Sequence, residues 1–146
     1  MKTIIVDLDG TLALNKHREH YLKGSKKDWV AYFEASKDDK PNKKIINLVN
    51  LLKSSGYRIH IFSARADIVR QDTINWLSRN CVSFDHITMR EINSFTPDEE
   101  LKKKWLFDFY PDYLDEVEFI LDDRNKVVSM WRSLGLTCLQ VADGNF

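Results

Sequence analysis

A chain of 146 residues with 43% apolar and 12% aromatic content has the size of one domain and can bury a single core, which excludes a disordered segment. Its 22 Lys and Arg balance 22 Asp and Glu, so it lacks the cationic excess that coats long nucleic acid by counterion release, while a site reading one phosphate stays open. The first apolar stretch runs only from Ile4 to Val6 and no 18-residue apolar run follows, so the expectation is a cytoplasmic protein with neither signal peptide nor membrane contact.

The first predicted element is a strand over Lys2 to Val6, opening directly into Asp7-Leu8-Asp9-Gly10-Thr11-Leu12. Residues two apart in extended backbone point to one side, so Asp7 and Asp9 can face one cavity, although the turn can redirect the second. Two ionised carboxylates there repel each other and ask for a cation. Ordinary turn chemistry is the bland reading of the same residues. A calcium loop fits less well, because its third ligand position holds Thr11 and its twelfth holds Arg18 in place of Glu.

From Asn15 to Lys40 the chain is rich in Lys and His and shows no strand pattern, and Tyr21, Trp29, Tyr32 and Phe33 mark a short helix over Lys26 to Ala35. So long a segment after a first strand is more often a functional cover than an idle connection. Its aromatics are read as packing first and as a stacking surface for a base second, and His17 and His20 as exposed residues without a metal role.

Alternation begins at Pro41. A helix over 42 to 55 carries Ile45, Ile46, Leu48, Val49, Leu51 and Leu52 and stops at Gly56; a strand spans Tyr57 to Phe62; a helix follows between Asp67 and Asn80. A third strand covers Phe84 to Met89, and Thr96-Pro97-Asp98-Glu99 reads as a capping box ahead of a helix to about Phe107. Strands over Val117 to Leu121 and Leu136 to Val141 flank a last helix, capped by Asp123, carrying Val127, Val128, Trp131 and Leu134 and ending at Gly135. Strands alternating with helices predict an α/β fold with a five-stranded parallel sheet. Cys81 and Cys138 lack metal-ligand spacing and are expected as buried free thiols, and no phosphate-cradling Gly-rich loop occurs.

Just past the strands stand Asp7 and Asp9, then Ser63 and Arg65, then Arg90, then Asp122 and Asp123. Taken singly, each has a dull explanation as a turn, a cap or a solvated side chain. Together they put four acids, two arginines and a hydroxyl on the edge where parallel sheets bind ligands.

This set resembles the haloacid-dehalogenase-type phosphatases, whose Asp-x-Asp-Gly-Thr, strand-ending Ser or Thr, later Lys and final acidic pair are matched by Asp7 to Thr11, Ser63, one of Lys102, Lys103 and Lys104, and Asp122-Asp123. A narrower resemblance is to the 3'-phosphatase domain of bacteriophage-type polynucleotide kinase/phosphatase. It is carried by Ser63-Ala64-Arg65, Asp122-Asp123-Arg124 and the segment from Val128 to Phe146; Arg18 falls nine residues after Asp9, and Arg90 and Asp98 precede Lys102 at the family's spacing. Ala64, where the family has Gly, and the absence of a kinase segment are the departures. The resemblance implies a three-layer Rossmann-like fold over one phosphatase domain, 1–146, with residues 15–40 as a small cap-like insertion.

For the site it implies Asp7 as nucleophile, Asp9 as acid and base, Ser63 and Lys102 as charge-stabilising catalytic groups, and Arg18, Arg65, Arg90 and Arg124 as substrate-binding residues. Mg2+ would be held by Asp7, the backbone carbonyl of Asp9 and the Asp122-Asp123 pair. The implied reaction removes 3'-phosphates from DNA or RNA ends, with a separate polynucleotide kinase or ligase as partner. A nucleotidase or small-metabolite phosphatase, and a catalytically silent phosphate-binding module, are the other readings held open.

Overall fold

The computed structural model describes residues 1–146. Seven strands form, in chain order: β1 (Thr3–Val6), β2 (Ala13–Leu14), β3 (Lys40–Pro41), β4 (Arg58–Ala66), β5 (His86–Arg90), β6 (Val117–Asp122) and β7 (Cys138–Gln140). The helices are α1 (Trp29–Glu34), α2 (Lys43–Ser54), α3 (Arg70–Arg79), α4 (Asp98–Phe109), α5 (Tyr113–Glu116) and α6 (Asn125–Ser133). Five strands pair in parallel in the order β5-β4-β1-β6-β7, and β2 and β3 form a separate antiparallel pair.

Alternation along β1 divides its side chains between two cores. Ile4 and Val6 pack with Ile46, Val49, Trp76 and Leu77 from α2 and α3, while Ile5 packs with Leu101, Trp105, Val128 and Trp131 from α4 and α6. The three layers and the five-stranded parallel sheet agree with the sequence expectation. The chain runs from β1 outward to β4 and β5, then crosses to β6 on the other side of β1. Ligands bind beyond the carboxyl ends of the strands at such a reversal, and Asp7 and Asp122 stand on either side of it.

Several local expectations are corrected. No side chain caps α4: the helix starts at Asp98 with Pro97 as its N-cap, one residue later than the capping box requires, which leaves Thr96 outside the cap position. Nor does Asp123 cap α6, whose N-cap is Arg124, because the Asp123 carboxylate turns toward Asp7 and Thr11. β4 runs four residues beyond Phe62, with a register irregularity between Ser63 and Ala66. The short helix of the insertion is six residues long, flanked by 3-10 turns over Lys16–Leu22 and Ala35–Asp38. Cys138 is buried, but Cys81 is exposed, in a left-handed conformation at φ 57 after α3. Leu51, one of the apolar residues that mark α2, is exposed.

Candidate active site

At the end of β1 the chain turns so tightly that the Leu8 carbonyl accepts from the amides of Thr11, Leu12 and Ala13. Gly10 makes this possible in two ways. Its φ of +84 lies in the left-handed region, and a Cβ there would collide with the Asp123 carboxylate. The turn returns Thr11 beneath Asp7, so its hydroxyl lies 3.2 Å from Asp7 Oδ2 and 3.4 Å from Asp123 Oδ1.

Carboxylate oxygens of Asp7, Asp122 and Asp123 lie within 4.8 Å of one another, and all three residues are buried. Lys102, on the second turn of α4, is 2% exposed and reaches Asp7 Oδ1 at 2.8 Å and Asp122 Oδ2 at 3.1 Å. Trp131 Nε1 and the Asp123 amide also donate to Asp122. Three carboxylates against one ammonium leave two negative charges in excess when all are ionised. Burial, then the Asp122 charge, push the Asp7 carboxyl well above the usual carboxylate range even with Lys102 opposing them. Burial also raises Asp123, while burial's opposite pull on Lys102 is outweighed by Asp122 and Asp7, which hold it charged. An all-oxygen pocket short of two positive charges fits a hard divalent cation such as Mg2+.

Asp9 does not share that cavity. Its Oδ1 accepts from Arg18 Nη2 and Arg65 Nη2, each at 2.5 Å. Burial alone would raise the Asp9 carboxyl, but the charges of Arg65 and Arg18 overcome it and bring the group down to about 2. The repulsion expected between Asp7 and Asp9 is therefore answered separately: two guanidiniums for Asp9, and the Lys102 ammonium for Asp7.

Behind the two arginines stands Asp39, which the sequence reading missed. Its side chain is fully buried and takes both Arg18 Nε and Nη2 at 2.8 Å, Arg65 Nη2 at 3.3 Å and His17 Nε2 at 2.6 Å. The only sequence signal is an acid just ahead of Pro41, among other charges. Arg18 also lies over the Tyr32 ring, 4.4 Å from its centroid, so that aromatic of the insertion is a packing surface for a cation. The insertion, bracketed by β2 and β3, thus supplies both a cation and its counter-ion to the sheet edge.

Ser63, buried at the irregular end of β4, accepts from the Arg65 amide at 3.1 Å, which leaves its own proton for another acceptor. Arg90 and Arg124 share Asp98: Arg90 Nη2 meets Oδ1 at 2.6 Å and Arg124 Nη1 meets Oδ2 at 2.7 Å. None of the four arginines is simply solvated. Of the three adjacent lysines, only Lys102 is buried; Lys103 and Lys104 are exposed, and Lys104 pairs with Asp108.

The model of the polynucleotide kinase PNKP phosphatase domain matches residues 1–146. A protein of Autographa californica nuclear polyhedrosis virus named "Putative bifunctional polynucleotide kinase/RNA ligase" is 33% identical over 135 residues, covering 91% of this chain and 18% of that protein. A solved chain of the Pnkp1/Rnl/Hen1 RNA repair complex is similar at a TM-score of 0.84 and 32% identity, over 99% of this chain and 43% of that one. The class C acid phosphatase from Bacillus anthracis shares the fold at a TM-score of 0.64 and 17% identity, over 86% of this chain and 52% of that one. This chain spans less than half the length of the virus protein and of the repair-complex chain.

Proposed function

The chain belongs to the family of the polynucleotide kinase PNKP phosphatase domain, a phosphatase family of the haloacid-dehalogenase type, and from that premise we propose that it removes 3'-phosphates from DNA or RNA ends. The observation that carries this reading is the division of the strand-end acids into two charge environments: Asp7, Asp122 and Asp123 around Lys102, and Asp9 between two guanidiniums.

Asp7 is the nucleophile. One of its carboxylate oxygens forms a bond to phosphorus as the bond to the sugar 3'-oxygen breaks, giving an aspartyl-phosphate and a free hydroxyl. Asp9 supplies the proton that the leaving oxygen takes up. In the resting arrangement Arg18 and Arg65 keep Asp9 ionised, so its protonation accompanies the turning of those guanidiniums toward the incoming phosphate, which competes for the same forks. In the second step water attacks phosphorus, Asp9 takes its proton, phosphate leaves and Asp7 is restored. Ser63 donates to a phosphoryl oxygen, and Lys102 offsets charge on the nucleophile and the phosphate. Asp7, Asp122, Asp123 and the Asp9 backbone carbonyl would hold Mg2+, which when bound supplies electrostatic stabilisation of the phosphoryl oxygens.

Arg90 and Arg124, tied together through Asp98, form a cationic wall for the nucleic-acid end, and residues 15–40 act as a cap-like insertion on a single phosphatase domain. A kinase or ligase acting on the same ends is the fitting partner. Activity on a 3'-phosphorylated oligonucleotide should exceed that on 5'-mononucleotides and sugar phosphates; preference for either of the latter would overturn the nucleic-acid reading. Asp7→Asn should keep the fold and lose turnover by 1,000-fold or more, as expected of an essential nucleophile. Retained activity in that variant would overturn the covalent mechanism.

A further inference from the structure

Phe95 is 90% exposed, the most exposed large hydrophobic side chain of the protein. Near-full exposure of a Phe forgoes a sizeable contribution to folding. A fraying loop is no explanation, because its backbone is pinned from several sides. Arg90 Nη1 donates to the carbonyls on both sides of Phe95, Ser94 at 3.3 Å and Thr96 at 2.6 Å. Asp67 Oδ1 accepts from the Ile92 amide at 3.1 Å, the Ser94 amide returns to the Glu91 carbonyl at 3.1 Å, and Asn93 adopts a left-handed φ of 68 to make the turn. The loop is built to hold an aromatic ring out in water.

The same guanidinium ties that loop to the reaction end of the sheet. Arg90 Nε donates to the Ala64 carbonyl at 3.0 Å, the residue following Ser63, and its Nη2 binds Asp98 at the start of the helix that carries Lys102. Asp98 in turn joins Arg124, next to Asp123. Phe95 therefore borders the proposed cationic wall.

We propose that Phe95 is a stacking platform for the base of the nucleotide that bears the scissile 3'-phosphate. Every base presents a π-face, so an aromatic ring on a rigid loop grips a terminal nucleotide without demanding one sequence, while the Arg90-Asp98-Arg124 wall takes the backbone charge. This rests on the 3'-phosphatase reading and adds a positioning residue that selects nucleotide ends over sugar phosphates.

The test compares two oligonucleotides with a 3'-phosphate, one carrying a normal terminal base and one carrying a tetrahydrofuran abasic residue there. Stacking worth 1 to 3 kcal/mol predicts that the wild type prefers the base-bearing end by about 5- to 150-fold in kcat/KM. That preference should collapse toward one in Phe95→Ala and survive in Phe95→Trp. A preference unchanged in Phe95→Ala would assign the ring to a protein contact and overturn the proposal, as would an equal slowing of both substrates. Failure of the wild type on both oligonucleotides would instead bring down the 3'-end reading on which it stands.

Discussion

Lys102 Nζ stands 2.8 Å from Asp7 Oδ1 inside the protein, the single ammonium serving three buried carboxylates. A buried charge stripped of its partner costs on the order of 3 to 5 kcal/mol. Lys102→Met should therefore melt well below the wild type in chelator, by about 3 kcal/mol or more, and recover part of that loss in millimolar Mg2+, whose two charges substitute for the missing one. In millimolar Mg2+ turnover should fall at least 100-fold, since the cation that offsets the nucleophile is gone. Equal melting of variant and wild type in chelator would show that the three acids do not depend on Lys102.

Asp39 makes a second prediction. Arg18 and Arg65 present two buried positive charges to two carboxylates, Asp9 and Asp39, so neutralising Asp39 leaves one anion for two cations. Asp39→Asn keeps the shape and should cost about 3 kcal/mol in chemical denaturation. Assayed well below its melting temperature, it should also lose tenfold or more in kcat/KM, because the guanidiniums that face the phosphate lose the group that aims them. A destabilised variant with full activity would reduce Asp39 to a structural role.

What the sequence made legible follows from short-range chemistry. Apolar runs of five or six residues marked all five parallel strands, and the acids directly after the first and fourth landed on one edge because a parallel sheet puts every carboxyl end on the same side. Asp7, Ser63, Asp122 and Asp123 stand on one edge for that reason, and Lys102 reaches Asp7 and Asp122 from α4. Asp39 and Phe95 were not legible. One lies in an insertion without periodicity, where pairing with Arg18 is a matter of tertiary contact 21 residues away. The other stands in a loop whose shape is set by Arg90 reaching back to backbone carbonyls. The expected caps failed similarly: Thr96 and Asp123 have the right residue types, but α4 takes Pro97 as its N-cap, one residue after Thr96, and the Asp123 carboxylate joins the acid cluster.

Gly10 separates backbone strain from site geometry. Gly10→Ala places a Cβ in a left-handed turn and against the Asp123 carboxylate, whereas Gly24→Ala meets the same conformational objection at φ +96 with open space around it. Both should lose about 1 to 2 kcal/mol of stability. Only Gly10→Ala should also weaken divalent-cation binding, by about tenfold or more in a calorimetric titration, because Asp123 must move away. Unaltered cation affinity in Gly10→Ala would remove Asp123 from the cation site.

Remote from the carboxylates, His60 fixes a pH dependence of folding. It is buried between two hydroxyls, Nδ1 2.7 Å from Tyr110 and Nε2 2.7 Å from Thr88, beside a cavity of about 530 Å³ that also reaches Arg58 and His86. Burial first, then the charges of His86 and Arg58, lower its pKa to about 4. Above its ordinary value near 6.5 the ring is neutral in both folded and unfolded chains, so it contributes no pH dependence there. Between pH 6.5 and 4 the unfolded chain binds the proton and the folded one resists it, so stability falls as the solution is acidified. At 1.36 kcal/mol per unit the full loss is on the order of 3 kcal/mol. His60→Gln keeps a polar side chain between the hydroxyls but cannot titrate. Denaturant unfolding of wild type and variant at pH 7 and pH 4.5 isolates the effect, because the other acids contribute equally to both proteins. The variant should be less destabilised by acid, by about 2 kcal/mol; parallel losses in the two proteins would mean that His60 is charged in the fold.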